Sequence, residues 1–177
     1  MPVLSTSPTL KKLYAWVGDT SYLDVSDIRG NVDTEVKQIC AGILKFFVST
    51  PEGTVYGAQV GKRLKFSEIN VWGEGATCNA QTVLKITVEK DMCNTFGVLH
   101  GACAAYMIDP CSVSPLVVLG LKLGIDGTGL SQSMNIIWHH PINRGVEIRL
   151  VSNSMSIRGR IRTVRCEVGL PAHFPTL

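Results

Sequence analysis

A chain of 177 residues, 45% apolar and 18% charged, carries enough hydrophobic surface for one sizeable core and too little net charge, +3, for a disordered polymer. The charge is uneven: from His140 onward six Arg face two Glu, a balance of +4, while the remainder sums to −1. A basic C-terminal third suits an anionic partner, yet no binding motif or aromatic interleaving accompanies it, which argues against nucleic acid. The longest uncharged apolar run, Val113 to Leu121, is far short of the roughly 20 residues that span a bilayer. No secretory signal pattern opens the chain. Lys11 and Lys12 precede the first acid, Asp19, as in a mitochondrial leader, but no Arg occurs before Arg29. The cysteines, at 40, 78, 93, 103, 111 and 166, form no C-x-x-C and no zinc spacing. The expectation is reduced thiols, no metal, no cofactor, and an address in the cytoplasm or the mitochondrial matrix.

In chain order, residues 1–30 mix Pro, Ser, Thr and Asp without a sustained period and read as a loose arm. Over 33–48, Val36, Ile39, Cys40, Ile43, Leu44 and Phe47 recur at helical spacing, with Asp33 and Glu35 in the first turn, where the helix dipole favours acids. Pro51 and Gly53 stop this helix, which lies across the sheet or beside a pocket entrance. Val60–Trp72 and Ala76–Lys90 read as strands separated by the turn Gly73-Glu74-Gly75. A long apolar helix follows from about Leu99 to Lys122, interrupted near Pro110 and Pro115 and ended by Gly124 and Gly127. Three further strands are expected over Leu130–Trp138, Val146–Ser156 and Arg160–Val168. One long helix among mostly antiparallel strands defines an α+β domain over 31–168.

The chemistry gathers in N-T-F-G-V-L-H-G-A-C-A-A-Y-M-I-D, Asn94 to Asp109. Apolar positions surround the long helix, so Asp109 is expected to be buried, which is costly for a carboxylate without a partner. Gly101, at the helix start, offers a backbone N–H that no helical carbonyl accepts, close to the positive end of the dipole. That is the makings of an oxyanion hole; a plain tight turn would need the same His100-Gly101 pair. The side-chain amide of Asn94 can donate to the same oxygen. Taken singly, Asn94 would be a turn residue and Ser131 an ordinary strand serine.

Asn94, Gly97, His100-Gly101 and Asp109 keep the order and spacing of N-x-x-G-x-x-H-G-G-x-x-A-x-x-x-D. The stretch thereby resembles hotdog-fold acyl-CoA thioesterases. Gly129–Asn135, His140-Pro141 and Gly145-Val146-Glu147 extend the likeness, which covers roughly Lys62 to Val168. Ala102 stands where the second Gly of H-G-G would be, and Pro110 directly follows the acid. The resemblance implies an antiparallel sheet wrapped around the central helix, with the helix at 33–48 as an N-terminal addition. It also implies hydrolysis of acyl-CoA to free acid and coenzyme A without a metal, in a homodimer or dimer of dimers. Asp109 would be the base or nucleophile, Gly101 and Asn94 the oxyanion donors, and Ser131 the residue that orients water. His100 would serve position in substrate binding. Arg158, Arg160 and Arg162 alternate and would line one strand face toward coenzyme A phosphates. Residues 169–177 depart from the pattern: Pro171 and Pro175 forbid the last central strand, so that strand is missing or replaced, with the N-terminal arm as a candidate to fill the gap. Two other readings compete: a non-catalytic hotdog protein that binds acyl chains or acts in assembly, and an acyl-thioester dehydratase, whose His base and motifs are absent.

Overall fold

The computed structural model describes residues 8–49 and 55–174. Helix α1 is Pro8–Val17, and a two-residue strand β1, Arg29–Gly30, follows. Then come helix α2 (Thr34–Val48), a single helical turn α3 (Ala58–Gly61), strands β2 (Lys65–Trp72) and β3 (Asn79–Thr87), and helix α4 (Gly101–Leu123). Strands β4 (Glu147–Ser156) and β5 (Thr163–Gly169) close the series. The sheet runs β1-β2-β3-β4-β5, parallel at β1-β2 and antiparallel elsewhere. Its α+β architecture, with α4 against one face, is the expected one.

Alternation along each strand decides which face meets α4. Register puts Ile69, Thr82, Ser152 and Cys166 in one row, and Phe66, Leu84, Leu150 and Val168 in the next. Leu84, Leu150 and Ile148 are fully buried, as are Met107, Cys111, Val118 and Leu121 on the helix. By length and composition alone α4 could cross a bilayer, with 23 residues and mean hydropathy 1.5, but it is largely buried inside the fold. A bulge between Phe66 and Glu68 turns Glu68 toward the opposite face. There its buried carboxylate accepts from both Arg29 and Arg149, tying β1, β2 and β4 together.

Four expectations need correction. First, residues 8–30 are no loose arm. Helix α1 buries Leu13 and stacks Trp16 on Phe46 of α2, with ring centroids 5.3 Å apart. Val25 and Ile28 are buried, and β1 pairs with β2 at the edge of the sheet remote from β5, so this segment does not fill the C-terminal gap. A ten-residue helix is marginal alone; packing on α2 holds it. Residues 1–7 lie outside the described residues, as does the Pro51–Gly53 stop; α2 itself ends at Val48.

Second, α4 runs unbroken through Pro110 and Pro115. Each proline removes one helical donor, so the carbonyls of Tyr106 and Cys111 lose their usual partner. Burial on both sides of the helix outweighs that loss. The helix ends at Gly124, in the left-handed conformation at φ 71°, and the chain folds back tightly. A Cβ on Gly127 would stand 2.0 Å from the carbonyl oxygen of Leu116.

Third, Leu130–Trp138 forms no strand; it is an extended, exposed segment outside the sheet. A strand persists by pairing. Among the described residues none pairs with this segment: after β5 the chain turns at Leu170 into a single 3-10 turn, Pro171–His173, rather than another strand. The turn packs back on β5: a Cβ at Gly169 would meet His173 and Phe174 at 3.3 Å. The Pro175 part of the tail lies outside the described residues.

Fourth, Arg158, Arg160 and Arg162 precede β5, which starts at Thr163, so they do not alternate on a strand. Arg158 donates to the Ala76 carbonyl at 2.9 Å and Arg162 to the Thr128 carbonyl at 2.9 Å.

Candidate active site

After β3 the chain makes a 3-10 turn, Lys90–Met92, and reaches Asn94. Asn94 closes the next loop with its own backbone and side chain. Its N–H donates to Val98 at 2.8 Å, and its carbonyl accepts from Gly97 at 3.0 Å. Its Oδ1 accepts from the Phe96 N–H at 2.9 Å. With Oδ1 committed to this Asx turn, the amide nitrogen bonds nothing among the described residues. Leu99 N–H donates to Ile142 and His100 N–H to Met92, so the loop delivers α4 at a fixed angle.

His100 is the N-cap of α4: its Nδ1 accepts the Ala102 N–H at 3.0 Å. That bond assigns the remaining ring proton to Nε2 and makes the imidazole a structural cap. Gly101 is the first helical residue, and its N–H has no helical acceptor. The indole of Trp138 lies over it, 3.6 Å from where a Cβ would be. Sequence reasoning missed Trp138, which lay at the end of an expected strand, Leu130–Trp138.

Asp109 lies eight residues along the same helix. Contrary to expectation it is exposed, as is Ala102 on the same side of α4, while Tyr106 between them packs against Gly57 and Gly61. Ser131 Oγ donates to Asp109 Oδ1, across 22 residues of sequence. This contact is the one long-range polar interaction that the described residues make with the carboxylate. Ser112 Oγ donates to the Asp109 carbonyl at 2.9 Å, stiffening the turn that carries it. Next to Asp109, Pro110, Val113 and Val117 of α4 face Ile43, Leu44 and Phe47 of α2 across a narrow apolar slot. This settles the place of α2, which packs on α4 and lines the slot.

Tyr106, one turn before Asp109, has a buried hydroxyl with no partner among the described residues. Burial pushes its pKa up, helped by the neighbouring Cys111, Cys103 and Tyr56. Among the described residues no three His, Cys, Asp or Glu side chains converge as a metal would require.

The chain therefore holds two half-sites, Asn94 with Gly101 at the helix start and Asp109 with Ser131 further along. A rise of 1.5 Å per residue sets them about 12 Å apart.

Solved structures with this architecture include thioesterase superfamily member 2 of zebra fish. It is 20% identical, with a TM-score of 0.54 over 73% of this chain and 83% of that one. Thioesterase superfamily member 2 of Mus musculus is 17% identical, with a TM-score of 0.56 over 80% of this chain and 90% of that one. The fold is thus the hotdog, an α+β sheet around a central helix. No family model matches the sequence, and no curated protein matches it.

Proposed function

We propose that the protein hydrolyses acyl-CoA thioesters in a site shared by two chains. The observation that carries this reading is the hydrogen bond from Ser131 to Asp109, which joins an acid and a hydroxyl from separate segments on an uncovered helix flank. A carboxylate there accepts a proton from a water molecule, and the hydroxyl helps hold that water. The free N–H of Gly101 and the free amide of Asn94 supply the two donors that a tetrahedral oxyanion needs. The name of the two structural neighbours, thioesterase superfamily member 2, supports the same chemistry.

In this mechanism water attacks the thioester carbonyl as Asp109 takes its proton. The carbonyl oxygen gains charge against Gly101 and Asn94. Collapse of the intermediate breaks the C–S bond, and the coenzyme A thiolate leaves with the proton Asp109 had taken, giving free acid and thiol. The 12 Å separation, from the helical rise, is too long for one carbonyl to meet both half-sites of a single chain. Two chains with antiparallel α4 helices bring each Gly101 near the partner's Asp109, as in the commonest two-fold dimers; a dimer of dimers would repeat the unit. Of the three arginines, exposed Arg160 bonds nothing among the described residues and is the one left to meet phosphate. The test is free-thiol release from a panel of acyl-CoAs. Asp109→Asn is expected to lower kcat by about 10²-fold or more, the usual scale for a general base, with KM little changed. Turnover near wild type would place the base elsewhere.

One observation favours a second reading, acyl binding without turnover: the segment carrying Ser131 lies outside the sheet. In that case the same panel shows binding and no thiol release.

A further inference from the structure

Among the described residues no strand pairs with the outer edge of the seven-residue β5, and its register shows what fits there. Val88 N–H donates to Val146 and Gly145 N–H to Val88, fixing the phase of hydrogen-bonded pairs between β3 and β4. Counting on by twos, Ile148, Leu150 and Ser152 direct their backbone groups to β3, so Arg149, Val151 and Asn153 direct theirs to β5. Their partners Gly169, Glu167 and Arg165 point back at β4. The backbone groups of Val164, Cys166 and Val168 consequently point outward, and among the described residues no backbone hydrogen bond reaches them.

The edge, Thr-Val-Arg-Cys-Glu-Val-Gly, is self-complementary when reversed. We infer that β5 pairs antiparallel with β5 of a second copy about a two-fold axis through Cys166. Val164 then faces the partner's Val168, and Cys166 faces the partner's Cys166. These are the residues with free backbone groups, so three hydrogen-bonded pairs form. Between them Arg165 faces the partner's Glu167 and Glu167 the partner's Arg165, in the close non-hydrogen-bonded positions where opposite charges favour pairing. Arg165 already bonds its own Glu167 at 2.9 Å, so the interface closes a ring of four alternating charges. Sliding the register by two residues puts Arg165 against Arg165 or Glu167 against Glu167, and the chosen register is the one free of that repulsion.

The edge also carries neither Pro nor Lys between Thr163 and Gly169, two of the usual devices against pairing. Growth stops at two because the opposite edge, β1, is two residues long. This interface is separate from the helix pairing of the proposed catalytic dimer and does not rest on it.

Sedimentation velocity on the full chain tests the inference with Arg165→Glu, Glu167→Arg and their equimolar mixture. Both side chains are well exposed, at 66% and 44%, so the variants keep the fold, which far-UV circular dichroism checks. Each variant alone opposes like charges and is expected to run at half the wild-type mass. The mixture is expected to regain the wild-type mass. In the mixed pair every cross-strand contact is of opposite sign, while the contact between 165 and 167 within each chain stays broken, so a merely structural role could not produce the rescue. A monomeric wild type, single variants at wild-type mass, or a mixture that fails to reassociate would each overturn the inference. Loss of hydrolysis is a separate readout, and the masses do not depend on it.

Discussion

Pro110 sits in the middle of α4, beside the proposed base, and replacing it by Ala should stabilise the protein. A proline in a helix interior costs about 3 kcal/mol through its missing N–H and its clash with the carbonyl four residues back. The helix is continuous here, so that cost is carried in the folded state. Two terms offset the gain. Pro110 is half-buried against α2, and losing two ring carbons at about 0.8 kcal/mol per fully buried methylene gives up about 0.8 kcal/mol at half burial. Removing the proline also frees the unfolded chain, worth about 0.4–1 kcal/mol. The net gain is about 1–2 kcal/mol, and for a domain of this size about 3–6 °C in Tm. Differential scanning calorimetry of wild type and Pro110→Ala measures it. An unchanged or lowered Tm would show that the ring's packing against α2 outweighs the helical bond, and that the strain assigned to this turn is absent.

Arg160→Ala should raise KM for acyl-CoA and leave kcat near wild type, because the phosphates bind remotely from the reacting carbonyl; steady-state kinetics with an unchanged KM would remove the arginine from substrate binding. Burial pushes the Cys40 thiol up to about 12 and the Cys166 thiol up to about 11, where Glu167 adds to the rise and the hydrogen bond with Ser152 opposes it. Because both values rise in the folded state, the stability linked to them is fully present below the ordinary thiol pKa and is lost as pH climbs through the folded values. Alkylation at about pH 8, mapped by peptide mass, should leave Cys40 and Cys166 far slower than unfolded cysteine; equal rates would contradict their burial.

Helix α2 was legible because Ile39, Cys40, Ile43 and Leu44 face one way, and all four are buried. Helix α4 was legible in extent, but its prolines invited a break that the sheet and α2 together prevent. Strand β4 follows its expected span almost to the residue, while β3 is shorter by three residues at each end, where 3-10 turns take over. Leu130–Trp138 was expected to be a strand and pairs with nothing among the described residues, because a strand is a property of two segments. Helix α1 escaped notice since it is short, and Trp16 stacks on Phe46, a contact no local pattern announces. At the site, Asp109, Ser131, Gly101 and Asn94 were nameable through their family-like spacing. What spacing could not reveal was the Asx turn that frees the Asn94 amide, the cap that occupies His100, and the exposure of Asp109. The first two are contacts between residues two apart that depend on side-chain rotamers, which spacing leaves open, and the third reflects the absence of a covering layer. Glu68, held by Arg29 and Arg149, was invisible because those contacts join segments remote in sequence.

The shared site is tested most directly by complementation. Asn94→Ala and Asp109→Ala chains are co-expressed with different affinity tags, the heterodimer is isolated, and thiol release from acyl-CoA is measured. Across a two-fold interface one site of the heterodimer loses both groups and the other keeps both. The heterodimer should therefore recover about half of wild-type activity, by that site count, while each parent homodimer stays inactive. A heterodimer as inactive as its parents would place each site within a single chain and contradict this account.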